Sequence, residues 1–278
     1  MPRGGQSMKC KAMLIAMFVF FGILFINNQV FARPETDWTS NEIYREMKQV
    51  GRLISGQVVN VYGIPCVKAK LKMKESIFSF CQLYPSLKKF SWSGYSRIAF
   101  INRMSYTAKV RGGEENSTEK DKIYVPLDFS IAPKVLPEID PELAGERKFI
   151  KGRLDLQYVG CYEYGKLKYC FPISSGFIGK SGVSVTPSAE FVITKKEEMH
   201  FSNRYNNAPM PNSAHILDGN YFFHGGPLPG YADSHGCIRL FLRDAEIFHC
   251  WVEVGTRGRT MGSRLGTFKS KKGKKGKI

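Results

Sequence analysis

Apolar positions recur at helical spacing in only a few stretches of this chain. In WTSNEIYREMKQVGRL (38–53), Ile43, Met47 and Val50 follow a Thr/Ser start, which predicts an amphipathic helix. QVVNVYGIPCVKAKLKM (57–73) alternates and reads as strands, whereas KESIFSFCQLY (74–84) and YSRIAFINRMS (95–105) read as short helices. A charged loop, RGGEENSTEKDK, separates these from IYVPLDF, an edge strand interrupted by Pro126. Residues 129–147 carry three prolines and no clean period, as a connector would.

From Phe149 the period changes to two. Leu154, Leu156 and Tyr158 alternate with other residues; after a Tyr164-Gly165 or Gly165-Lys166 turn, Leu167, Tyr169, Phe171 and Ile173 do the same. EFVIT (190–194) and NYFFHGG (220–226) are further short strands. RDAEIFHCWVEVG (243–255) returns to helical spacing, with Asp244 as N-cap, Ile247, Phe248 and Trp251 apolar, and Gly255 as stop. The expected fold is mainly β: a β-sandwich domain with a short helix near its end, preceded by a smaller α+β region. The expected boundaries are a leader at 1–32, an accessory region at 33–128, a linker at 129–147, a β domain at 148–262 and a basic tail at 263–278.

Composition adds compartment and charge. Hydrophobic content of 43% and charged content of 23% are those of a globular protein, but the net charge is +17. Without Arg3, Lys9, Lys11 and the six lysines of KSKKGKKGKI, +8 remains on the body. The lysine tail suits any polyanion: nucleic acid, anionic lipid or an acidic wall polymer. At the N-terminus, the basic MPRGGQSMKCK precedes AMLIAMFVFFGILFI and then Val30-Phe31-Ala32. That order predicts a secretory signal cleaved after Ala32, rather than a membrane span. Export places the chain in the periplasm or cell envelope, makes nucleic acid an unsuitable partner, and leaves a membrane contact only if the leader is retained. In an oxidising compartment Cys161 with Cys170, and Cys66 with Cys81, are candidate disulfides; buried free thiols are the alternative. Those pairings leave Cys237 and Cys250 over.

The densest chemistry lies in HGGPLPGYADSHGCIRL (224–240), which holds two of the five histidines and a cysteine. Thiol catalysis needs a thiolate, an imidazole to exchange protons and donors for an oxyanion. Cys237, His224 and His235 supply the first two, and Gly236 frees the backbone to aim its own amide and that of Cys237 into one site. The residues Ser234-His235-Gly236-Cys237-Ile238-Arg239, with His224 upstream, resemble the catalytic motif of the L,D-transpeptidase family (YkuD-type domain). LDLQYVGCYEYGKLKYCFPISSG resembles that domain's opening hairpin, VTPSAEFVI its Thr-Pro strand start, and DAEIFHCWVEVGTR its closing helix. Only nine residues separate His224 from Ser234, a short spacing for the family that points to a reduced lid over the site.

The resemblance implies that Cys237 attacks an L,D amide of a peptidoglycan stem peptide to form a thioester. His224 would be the base, His235 would line the oxyanion site, and Ser234 and Arg239 would brace the loop. It implies no metal and no organic cofactor. An amine acceptor would give a cross-link or attached protein, and water a carboxypeptidase or endopeptidase. A zinc peptidase using His224, His235 and Cys237 matches no closed zinc spacing, and His200, His215 and His249 read as ordinary core or surface residues. A non-enzymatic wall-binding protein is the remaining rival. In outline, KMKESIFSFC, YSRIAFINRMS and KIYVPL resemble the order of elements in LysM-type glycan-binding modules, so glycan strands are a candidate partner of the N-terminal region; a plain structural extension is the simpler reading.

Overall fold

The computed structural model describes residues 38–72, 74–89, 91–105, 107, 122–180, 182, 184–217 and 221–262. The expected leader, the tail and most of the charged loop lie outside the described residues. Among those described, no helix is long and apolar enough to cross a membrane.

The N-terminal unit runs α1 (Glu42–Gln49), β1 (Leu53–Val61), β2 (Ile64–Lys70), α2 (Ile77–Gln82), α3 (Pro85–Lys88), α4 (Ser91–Asn102) and β3 (Lys122–Pro126). Thr39 and Ser40 do not start the first helix. They sit in a 3-10 turn, and Asn41 caps α1 through its side chain, which accepts from the Tyr44 amide at 3.2 Å. The three strands form one antiparallel sheet with β2 in the centre. Pro126 ends β3, an edge strand, where the missing donor costs least. Ile43, Met47, Ile77, Phe80, Leu87 and Ile98 from the helices bury themselves with Val67, Ala69, Ile123 and Val125 of the sheet. Each such side chain removed from water contributes about 2 kcal/mol.

Beyond the connector the chain forms β4 (Phe149–Arg153), β5 (Tyr158–Glu163), β6 (Lys166–Ser174), β7 (Glu190–Val192), β8 (Lys195–Ser202), β9 (Ala208–Ile216), β10 (Tyr221–Gly225), β11 (Ile238–Leu240), α5 (Leu242–Trp251) and β12 (Arg257–Met261). The nine strands hydrogen-bond in the order β7-β12-β4-β5-β6-β11-β10-β9-β8. The outermost strands, β7 and β8, are separated in sequence by only Ile193 and Thr194, whose amides donate to Thr256 O (2.9 Å) and His215 O (3.0 Å). Two edges tied so closely force the sheet to curl back over itself around a shared core. That core holds Ile150, Val159, Phe171, Phe191, Ile216 and Phe223, and α5 contributes Phe248 and Trp251. The mainly β domain with a late helix, preceded by a small α+β region, is therefore the architecture expected.

Details differ from expectation for local reasons. Leu154 to Gln157 is a turn and not strand, with Gln157 at φ +59°. Asp244 lies inside the first turn of α5, and the cap position belongs to Phe241. The hairpin turn is Tyr164-Gly165, at φ +49° and +75°, the pairing of signs a tight two-residue hairpin requires. The connector is pinned to that hairpin: Asp140 N–H donates to Gly165 O, Leu167 N–H to Glu138 O and Tyr164 N–H to Glu146 O.

The disulfide expectation is overturned: Cys66, Cys81, Cys161 and Cys170 are all free thiols. A register irregularity between Cys161 and Tyr162 sets Cys161 opposite Tyr169 and Cys170 opposite Gly160. An offset of one residue turns the two sulfurs to opposite faces of the sheet. Cys81 packs in the helical core of the N-terminal unit and Cys66 in a separate cluster with Ile64 and Ile101. Burial pushes the Cys66 and Cys81 thiols up to about 12, with Glu75 adding to the effect at Cys81; both stay protonated and inert at neutral pH.

Candidate active site

Two short parallel strands build the site. β10 and β11 pair Phe223 with Ile238 and His224 with Arg239. Phe223 and Ile238 point into the core beneath α5, both fully buried. Alternation therefore turns Phe222, His224 and Arg239 to the other face. Cys237 immediately precedes β11 and His224 lies in β10, so the strand pair brings the two to the same end of the sheet.

The tautomer of His224 follows from its hydrogen bond to the next residue. Nδ1 lies 2.9 Å from the Gly225 carbonyl oxygen, which can only accept, so Nδ1 carries the proton and Nε2 keeps its lone pair. His224 is 8% exposed. Burial pushes its pKa down to about 4, with the Arg239 and His200 charges adding to the shift and the Gly225 carbonyl opposing it. The imidazole is neutral at pH 7, the form a general base needs.

Cys237 is a free thiol, partly exposed. Burial raises its pKa above the ordinary 9.0, while the Phe222 amide, the Arg239 charge and its own amide pull in the other direction. The resting pair is thus thiol and neutral imidazole, and ionisation waits for a proton transfer. The Phe222 and Cys237 amides favour the thiolate once it forms.

The loop around Cys237 is held by its neighbours. Ser234 Oγ donates to Cys237 O and accepts from Gly236 N–H at 3.1 Å. This corrects one expected role: the Gly236 amide is committed to Ser234, so Gly236 serves the brace and not the oxyanion. Past β6 the chain pairs with the loop, Ser234 N–H donating to Ser175 O (2.9 Å) and Phe177 N–H to Ser234 O (2.7 Å). Arg239 donates to Pro227 O (3.3 Å) and Asp233 O (2.6 Å), closing residues 227–233 into a tight loop. The N-terminal unit grips that same loop, since Ser105 N–H donates to Leu228 O (2.7 Å) and Leu228 N–H to Ser105 Oγ (2.9 Å).

His235 stands apart from the buried pair. It is exposed, with its ring stacked on Tyr205 at 4.9 Å and edge-on to Phe177 at 6.1 Å, which makes an aromatic rim. Tyr205 and Phe177 went unnoticed in the sequence, where lone aromatics in loops carry no signal.

Thr186 is a further residue the motif did not single out. It is fully buried; its Oγ1 donates to Gly236 O (2.6 Å) and accepts from Gly176 N–H (2.7 Å). Thr186→Val keeps the shape and strands both groups, at about 3 kcal/mol. The expected melting temperature falls by about 10 °C, and Thr186→Ser restores most of it. A Thr186→Val protein melting with the wild type would refute this linkage of loop to sheet.

The comparison with curated proteins returns no match. Similar solved structures include the L,D-transpeptidase (Yku) from Stackebrandtia nassauensis, 22% identical over 44% of this chain and 58% of that one, with a TM-score of 0.39. The L,D-transpeptidase from Xylanimonas cellulosilytica is 23% identical over 49% and 67%, with a TM-score of 0.38. The catalytic domain from the E. faecium L,D-transpeptidase is 22% identical over 42% and 98%, with a TM-score of 0.33. The chain thus spans less than two thirds of the first of these. The β domain that carries Cys237 and His224, over residues 148–259, matches the family model of YkuD, the L,D-transpeptidase catalytic domain.

Proposed function

We propose that this chain is a peptidoglycan L,D-transpeptidase that uses Cys237 as nucleophile and His224 as base. The carrying observation is the His224 Nδ1–Gly225 O hydrogen bond, which leaves Nε2 unprotonated on the strand that pairs with the one following the free thiol of Cys237. In the first step Nε2 takes the thiol proton as sulfur attacks the carbonyl carbon of an L,D amide in a stem peptide. The Cys237 and Phe222 amides stabilise the developing thiolate, and the imidazolium returns the proton to the departing D-amino acid. A thioester remains. An incoming amine then gives its proton to Nε2 as it attacks the thioester carbon, and the thiol is regenerated.

Water in place of the amine makes the same site a carboxypeptidase or endopeptidase, and a wall-binding protein without turnover is the rival outside enzymology. Export to the periplasm or cell envelope belongs to this proposal, as do stem peptides as substrate and glycan strands as a partner of the N-terminal region. A body charge of +8 without the termini suits an anionic, carboxylate-bearing wall.

With tetrapeptide stems, the wild type is expected to release the terminal D-residue and Cys237→Ala to release none while melting normally. Equal release by both proteins would overturn the reading. Wall pull-down by Cys237→Ala without turnover by the wild type would favour the binder.

A further inference from the structure

We propose that Glu197, His200 and His215 form a binding site for a divalent transition-metal cation of the zinc class on the β8–β9 hairpin. Their ligand atoms, one per residue, all lie within 4.8 Å of one another. Glu197 Oε2 is 2.8 Å from His200 Nδ1 and 2.5 Å from His215 Nε2, so both imidazoles aim one nitrogen at the same point. Their rings are 5.2 Å apart and 81° from parallel, edge-on rather than stacked.

Two imidazoles and one carboxylate are a three-ligand zinc set with a fourth position open. Zinc–ligand bonds of about 2.0–2.1 Å place tetrahedral ligands about 3.3 Å apart, so the carboxylate oxygen need withdraw by less than about 1 Å to admit the ion. Nitrogen donors favour zinc and its neighbours over magnesium or calcium.

The frame is rigid. His215 pairs with Lys195 and Glu197 with Ser213 across the two strands. The Phe222 ring stacks on His200 at 4.8 Å and meets His215 at 4.4 Å, fixing both imidazoles. Lys195 Nζ holds the other carboxylate oxygen at 2.9 Å, which turns Oε2 toward the histidines; its exposed ammonium can swing into water when a cation enters. Ser213, fully buried and directly across from Glu197, has an Oγ with no hydrogen-bond partner among the described residues. Glu197 and His200 are partly exposed, which opens a route from solvent.

Each ring's proton moves to the nitrogen not used when the metal takes the other. The site does not depend on the catalytic reading above.

The test is calorimetric titration of Zn2+ into the Cys237→Ala protein, which removes the thiol as a competing ligand. One Zn2+ per chain is expected, with Mg2+ giving no heat. Glu197→Gln and His200→Ala in that background should each weaken binding on the order of 100-fold. His200 is partly exposed, so its replacement keeps the experiment informative should changes at buried His215 unfold the chain. No uptake by Cys237→Ala, or uptake that neither substitution weakens, would overturn the proposal.

Discussion

Replacing His224 by alanine is expected to lower kcat/KM for stem-peptide acylation by about 1,000-fold while leaving Cys237 in place. The loss comes from the base alone, because the thiol and imidazole rest uncharged and no ion pair exists to be broken. The same electrostatics fix the pH dependence of the wild type. His224 is deprotonated above its lowered pKa of about 4, so activity should persist through mildly acidic pH and fall only as pH drops through that value. An ordinary, solvated histidine would lose activity near 6.5. Burial also keeps Cys237 protonated, so its alkylation by iodoacetamide should climb steadily with pH up to 9 and beyond, with no plateau between pH 5 and 8. A flat alkylation profile between pH 5 and 8 would mean a preformed thiolate–imidazolium pair, and an acid limb near 6.5 a solvated histidine; either result contradicts this arrangement.

Gly236→Ala is the second large effect. Gly236 has φ +140°, and an added Cβ would meet Tyr221 Cε1 at 3.0 Å. The backbone conformation disfavours any side chain, at about 1–3 kcal/mol, and the ring contact adds to it. Relaxation would pass to the adjacent Cys237, whose amide and sulfur must stay aligned with Phe222 and His224. A displacement of about 1 Å is enough for a loss on the order of 100-fold. Gly236→Ala is therefore expected to retain folded secondary structure, melt lower and turn over about 100-fold more slowly. Combining it with Tyr221→Ala should relieve the steric part and leave the backbone strain, giving partial recovery. Wild-type kinetics in the single variant would show that the loop tolerates a shift the geometry forbids.

The elements that were plain in the sequence are those with a clean period or a special turn. The Tyr164-Gly165 hairpin, the strands at 190–192 and 221–225 and the helix holding Phe248 and Trp251 all declared themselves that way. β8 did not, because KKEEMHFS is largely exposed along its length and shows no apolar face. Its partner β9 went unread for the same want of a paired signal. With that hairpin hidden, His200 and His215 read as ordinary core or surface residues and Glu197 drew no notice; strand pairing brings the three to one point. The Cys161–Cys170 pairing failed on a register irregularity after Cys161, which no residue type announces, and Cys66–Cys81 on their packing into separate clusters. At the site, residue types were enough to pick out Cys237 and His224, whereas the diversion of the Gly236 amide to Ser234 is a matter of hydrogen-bond direction that spacing does not carry.

The most direct test of the central claim is intact-protein mass spectrometry after brief mixing of the wild type with a tetrapeptide stem donor and no acceptor amine. A species heavier by the donor minus its terminal residue, mapped to Cys237 by peptide digestion and discharged by added amine, is the expected result. An adduct on another residue, or release of the terminal residue by a Cys237→Ala protein, would contradict it.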